Sequence, residues 1–267
     1  MSRSKKMMEK SVSAALSAIE VYNKPTFEYR DETFANLLIN AWELLLKARI
    51  LQLNYNKIKF IYELEYRKKK NGERSKRKYP KQNRSGNKMT IGLRKAMNKL
   101  RSETPPLPSE VAENLVLLEE IRDNSVHNLN THLGLSARVQ EIGTASLRNF
   151  MILVQEWFDH DLSRYNFFLM PMSFHHEADI IESFSVSPPN KQMKNMLAYL
   201  AHAESQFPSD EKKEFNITLR VDTKFVRSTT DEAMNVQFSN DPNVPKITIT
   251  EEEALRRTPL PYKELLE

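Results

Sequence analysis

Glu32-Thr-Phe-Ala-Asn-Leu-Leu-Ile-Asn-Ala-Trp-Glu-Leu-Leu-Leu-Lys-Ala-Arg-Ile-Leu-Gln-Leu53 decides the fold class. Asp31 precedes it as a candidate N-cap. Phe34, Leu37, Leu38, Ala41, Trp42, Leu44, Leu45, Ala48 and Leu51 leave almost no polar face. A helix this apolar belongs at the centre of a bundle. The most apolar part, Ala35 to Leu53, is interrupted by Glu43, Lys47 and Arg49, which predicts a buried helix and no membrane span.

The flanks agree. Met8, Val12, Ala15, Leu16 and Ile19 recur at three- and four-residue spacing and predict a helix from Ser4 to Tyr22, ended by Asn23-Lys24-Pro25. Thr90 is the expected cap of a short helix reaching about Leu100, and Pro105, Pro106 and Pro108 mark a linker. Ser109 is the expected cap of a helix from Glu110 to about Val126, and a long amphipathic helix is predicted from Leu133 to Phe168. Ser187-Pro188-Pro189 breaks the chain before a helix from Asn190 to Phe207. Phe215 to Val221 and Ile247 to Ile249 read as strands, and Thr258 to Leu266 opens as a helix. The expectation is a mainly α protein: a helical domain over 1–184 and a smaller α+β region over 185–267.

Ile58 to Tyr66 interrupts the helical pattern. It is rich in aromatic and β-branched residues and reads as a strand, with Asn71-Gly72 as a turn and a return strand or loose arm beyond. This predicts a β-hairpin inserted at about 58–90. From Arg67 to Arg101 there are fifteen Lys/Arg against the single acid Glu73, a local charge of +14 that leaves −9 elsewhere in a chain of net charge +5. One reading is a solvated loop. Another is an electrostatic track for RNA, carried by Lys68, Lys69, Lys70, Arg74, Lys76, Arg77, Lys78 and Arg84. A localisation signal has a similar composition, so charge does not decide.

Exclusions narrow the chemistry. There is no Cys, which removes disulfides, thiolate metal sites and a Cys nucleophile and fits a cytoplasmic protein. Only five glycines are present, and neither a dinucleotide-binding nor a P-loop pattern occurs. Met1 to Lys10 lack the apolar core of a signal peptide. His175-His176-Glu177 superficially suggests a metal site, but adjacent residues on a helix do not face one point, so no metal and no cofactor is expected.

Two patterns remain. Glu43-Leu-Leu-Leu-Lys47 places a carboxylate and an ammonium on one face of the apolar helix, either as a partly buried ion pair or as part of a polar cleft. Arg122-Asp-Asn-Ser-Val-His127 ends a helix with a forked cation and a titratable imidazole. Those residues can simply cap a helix C-terminus. They can also hold a phosphodiester and move a proton at it.

An E-x3-K helix, then a helix ending in R-x4-H, then a long helix resembles the HEPN superfamily, over about Ser4 to Phe168. The runs Lys6 to Asn23 and Asn40 to Leu51 look like a bacterial branch catalogued as a domain of unknown function and found near defence genes. The resemblance implies a helical bundle and a metal-independent endoribonuclease of toxin–antitoxin or antiviral defence systems. It implies catalysis by Arg122 and His127, with Glu43, Lys47, Asp123 and Asn124 supporting. The pattern departs at Asp123, because many active members have Asn directly after the Arg and here Asn124 stands one place later. A carboxylate there orients Arg122 or repels phosphate. RNA supplies its own nucleophile, the 2′-hydroxyl. The expected partners are RNA (tRNA, or phage or host transcripts), an antitoxin or defence-system protein, and a second copy of the chain. In-line transesterification takes one proton and gives another, and each chain carries one such His. A non-catalytic RNA- or nucleotide-binding module, or a protein-interaction module, is the alternative.

Overall fold

The computed structural model describes residues 1–24, 29–68, 73–127, 133–165, 191–208, 213–220, 234–236 and 247–249. The described part is mainly helical, and none of its helices is long and apolar enough to cross a membrane. It divides into two compact units, Met1–Ser209 with Lys213–Leu219, and Asp210–Lys212 with Arg220–Glu267.

In the first unit α1 (Arg3–Tyr22) packs along α2 (Arg30–Leu53), and α2 also touches α3 (Leu93–Arg101), α4 (Ser109–His127) and α5 (Leu133–Phe158). The all-round apolar sequence of α2 has this cause: each face meets a different helix. Phe34, Ala35, Leu38, Ala41, Trp42, Leu45, Leu46, Ala48 and Leu51 are wholly excluded from water. Trp42 stands edge-on to Phe150, 5.4 Å between ring centres, and its indole N–H donates to Ser146 Oγ at 2.8 Å. That bond matters because an unpaired buried N–H is costly. Gly143 of α5 lets Phe34 approach: a β-carbon there would lie 2.8 Å from Phe34 Cζ.

Several boundaries differ from expectation. Tyr29, not Asp31, precedes α2, and Thr33 Oγ1 donates to the Tyr29 carbonyl. Ile58–Ile61 is a short 3-10 turn that buries Ile61, so β1 begins only at Leu64 and runs to Lys68. Thr90 does not cap α3; Gly92 does, without a side chain. Ser109 lies inside α4, whose first turn is closed by Ala112 N–H donating to the Pro108 carbonyl. The fifth helix stops at Phe158, and Asp159 turns the chain with φ +50°. A separate 3-10 turn, Ser163–Tyr165, follows. The last helix of this unit, α6 (Lys191–Gln206), buries Met196, Leu200 and Ala203.

Residues 215–220 are not a strand. Residues 215–219 cross the helices of the first unit as an irregular segment with Ile217 fully buried. Asn149 serves as its pairing partner: Nδ2 donates to the Asn216 carbonyl at 2.8 Å and Oδ1 accepts from Asn216 N–H at 3.3 Å. Asn114 Nδ2 donates to the Ile217 carbonyl at 2.7 Å, and Leu219 N–H donates to the Glu141 carbonyl. Alternating apolar residues therefore fit a helical surface here, with side-chain amides in place of a ladder.

The insert is a hairpin of β1 and β2 (Arg74–Pro80), antiparallel, pairing Leu64 with Pro80 and Tyr66 with Lys78. In the second unit, β3 (Met234–Val236) pairs antiparallel with β4 (Ile247–Ile249), the strand expected there. The Asn71-Gly72 turn, Lys69, Lys70, His175-His176-Glu177, Ser187 to Pro189 and the helix expected from Thr258 lie outside the described residues.

Candidate functional site

Glu43 and Lys47 face one way from α2, as their spacing requires. Lys47 Nζ donates to Glu43 Oε1 at 2.6 Å and to Thr90 Oγ1 at 2.9 Å. The Lys47 side chain is 6% exposed and that of Glu43 32%. The other carboxylate oxygen, Oε2, accepts from Leu93 N–H at 3.1 Å. That N–H opens α3, a helix with Gly92 before it and no acid in its first turn. Glu43 thus supplies, from a different helix, the cap and negative charge that α3 lacks. Lys47 neutralises Glu43 and clasps Thr90, where the basic insert returns to the bundle.

One residue further, Arg94 leaves α3 towards α4. Its Nε donates to Glu119 Oε2 at 2.7 Å, and its Nη2 lies 4.0 Å from Glu120. The hydrogen bond and charge of Glu119 raise the Arg94 pKa above its ordinary value. Glu119 is nearly buried, at 8% side-chain exposure, and its Oε1 lies 3.8 Å from Arg122 Nη2. Arg122 also donates from Nε (2.9 Å) and Nη2 (2.8 Å) to Asp123 Oδ1. The two sequence patterns are therefore connected, in order, through Glu43, the first turn of α3, Arg94, Glu119 and Arg122.

Arg122 lies in the last turns of α4, and His127 and Asn124 belong to the same helix end. Placement is described for their backbone alone. The surroundings of Arg122 are acidic. Burial, followed by Glu113 and Glu120 of α4, pushes up the pKa of the Tyr199 hydroxyl on α6, with Arg94 opposing.

The hairpin joins the bundle next to the Glu43–Lys47 clasp, at Thr90, which bridges to Tyr62. Its root is a set of backbone bonds: Glu63 N–H to Met89 O, Lys81 N–H to Glu63 O, Met89 N–H to Lys81 O and Ile91 N–H to Ile61 O. Lys95 pairs with Glu63 beside them. Lys68, Arg74, Lys76, Arg77 and Lys78 are exposed along the strands, and Arg84 sits in a turn held by Asn83 Oδ1, which accepts from Ser85 and Asn87 N–H.

Residues 6–207 match a family described as a domain of unknown function (DUF3644). The chain belongs to this family. Comparison with curated proteins and with solved structures returns no match. The DUF3644 segment contains Glu43, Lys47, the whole hairpin, Arg94, Glu119, Arg122 and His127. Residues 213–219, which pack on its helices, lie beyond it. Sequence reasoning missed Arg94 and Glu119, and it read Thr90 as a helix cap rather than as a partner of Lys47. The i,i+3 spacing of Glu119 and Arg122 was a usable signal. Arg94 and Thr90 gain their roles from contacts with distant parts of the chain and carried none.

Proposed function

We propose that this chain is a metal-independent endoribonuclease of the HEPN type, acting in the cytoplasm in anti-phage defence or as a toxin. The observation that carries the proposal is the path of hydrogen bonds and ion pairs from Glu43 and Lys47, through the first turn of α3, to Glu119 and Arg122. The basic hairpin returns to the bundle on that path at Thr90. Substrate capture and the R-x4-H helix thereby share one support.

The chemistry follows from residue types. RNA enters with a phosphodiester at Arg122, whose guanidinium leaves Asp123 for the phosphate. The 2′-hydroxyl loses its proton and attacks phosphorus, and the 5′-oxygen departs with a proton. His127 handles one of these transfers and its copy on a second chain the other. Arg122 stabilises the phosphorane charge. The products are a 2′,3′-cyclic phosphate and a 5′-hydroxyl. A second reading, an RNA-binding or protein-interaction module without cleavage, draws support from the closure of Arg122 by Asp123 and Glu119.

Incubating purified protein with tRNA, ribosomal RNA and single-stranded DNA in EDTA separates them. The proposal expects RNA alone to be cut, with cyclic phosphate ends. Activity that vanishes in EDTA and returns with magnesium or manganese sinks it.

A further inference from the structure

We propose that Tyr66 and Tyr79 are base-stacking platforms, so that the hairpin takes single-stranded RNA with unpaired bases rather than duplex. The inference rests on the nucleic-acid reading of the insert and gives it a substrate class. The strands are exposed on both faces, and two-stranded ribbons of this kind gain little from burial. Yet each face displays an aromatic ring. Tyr66 is 39% exposed and Tyr79 40%. Strand alternation puts Tyr66, which pairs with Lys78, on the side of Leu64, whereas Tyr79 pairs with Glu65 on the other side, and the pairing shifts register between Tyr66 and Lys68.

Every such ring carries a cation. Arg74 lies 4.1 Å and Lys78 5.3 Å from the Tyr66 ring centre, and Arg67 lies 5.0 Å from that of Tyr79. At the root, Lys88 lies 5.2 Å from Tyr62. A track that reads only phosphates needs no rings, and it favours duplex for its higher charge density. Rings interleaved with cations suit a single strand: the base stacks on the tyrosine while the neighbouring Arg or Lys passes to the adjacent phosphate. A duplex hides its base faces and has nothing to offer the rings.

The test uses the full chain and fluorescently labelled 2′-O-methyl oligonucleotides of about 12 nucleotides. These bind through bases and phosphates but lack the nucleophile for cleavage. One strand carries all its bases, a second is abasic at every position, and a third is the duplex. Wild type should prefer the base-bearing strand to both others. Tyr66→Ala and Tyr79→Ala should each weaken that strand about tenfold or more and leave the abasic strand unchanged. Tyr66→Phe and Tyr79→Phe should behave as wild type. Equal loss on both strands, or none on either, overturns the stacking role and leaves the electrostatic track standing. If wild type binds none of the three, the nucleic-acid reading of the insert falls with it.

Discussion

Arg122 donates twice to one oxygen of Asp123 and reaches a nearly buried Glu119, so its charge is neutralised before any phosphate arrives. Asp123 is 54% exposed, which makes its attraction to Arg122 modest. On the proposed function, a phosphate carries a full charge and matches the guanidinium fork, so it would win the competition but give up part of its binding to Asp123. Asp123→Asn removes that competition and keeps a hydrogen-bonding side chain. Cleavage by this variant should rise about two- to fivefold. A rise in kcat/KM on tRNA checks it; a fall would mean that the carboxylate is needed to aim Arg122.

At the scale of elements, the junction between α2 and α3 decides whether the insert is anchored. Lys47 is buried and its carboxylate partner also caps α3. Glu43→Ala strands the ammonium and removes the cap, and partial exposure of Glu43 reduces the cost below that of a fully buried pair. The expected loss is about 2–4 kcal/mol, read as a lower urea midpoint. Combining Glu43→Gln with Lys47→Met leaves no buried charge and retains an acceptor for Leu93, so most of that loss should return. A single variant as stable as wild type would contradict the capping role. The E-x3-K spacing told where Glu43 and Lys47 point but not what they hold. Thr90 and Leu93 lie more than forty residues away in sequence, and no periodicity encodes such a contact. The helices themselves were legible because their apolar spacing is local. Residues 215–219 were misread for the opposite reason: alternation says that a segment is half-buried, and here the burying surface is helical, with Asn149 and Asn114 completing the backbone bonds.

For the whole molecule the question is how many chains make one site. Each chain brings one His127, and the reaction needs a proton acceptor and a proton donor on opposite sides of phosphorus. On the proposed function, a two-fold axis beside the end of α4 would supply both, and symmetric dimers are the commonest oligomers. Wild-type protein mixed with rising amounts of His127→Ala chains should lose activity faster than the wild-type fraction falls. A linear fall, or a monomer by light scattering at active concentrations, would assign a complete site to each chain. The mainly helical character and the basic hairpin were readable from 267 letters because each rests on local pattern. The path joining Glu43 to Arg122 was not, because it runs through three helices that meet only after folding.

The central claim is that His127 moves a proton during RNA cleavage, and the most direct measurement compares cleavage with binding in one variant. His127→Ala should cut single-turnover cleavage of tRNA by about 10²–10⁴-fold in EDTA. Its affinity for a 2′-O-methyl strand and its unfolding midpoint should match wild type. A variant that cleaves at the wild-type rate, or that loses binding and cleavage in equal proportion, would contradict the account.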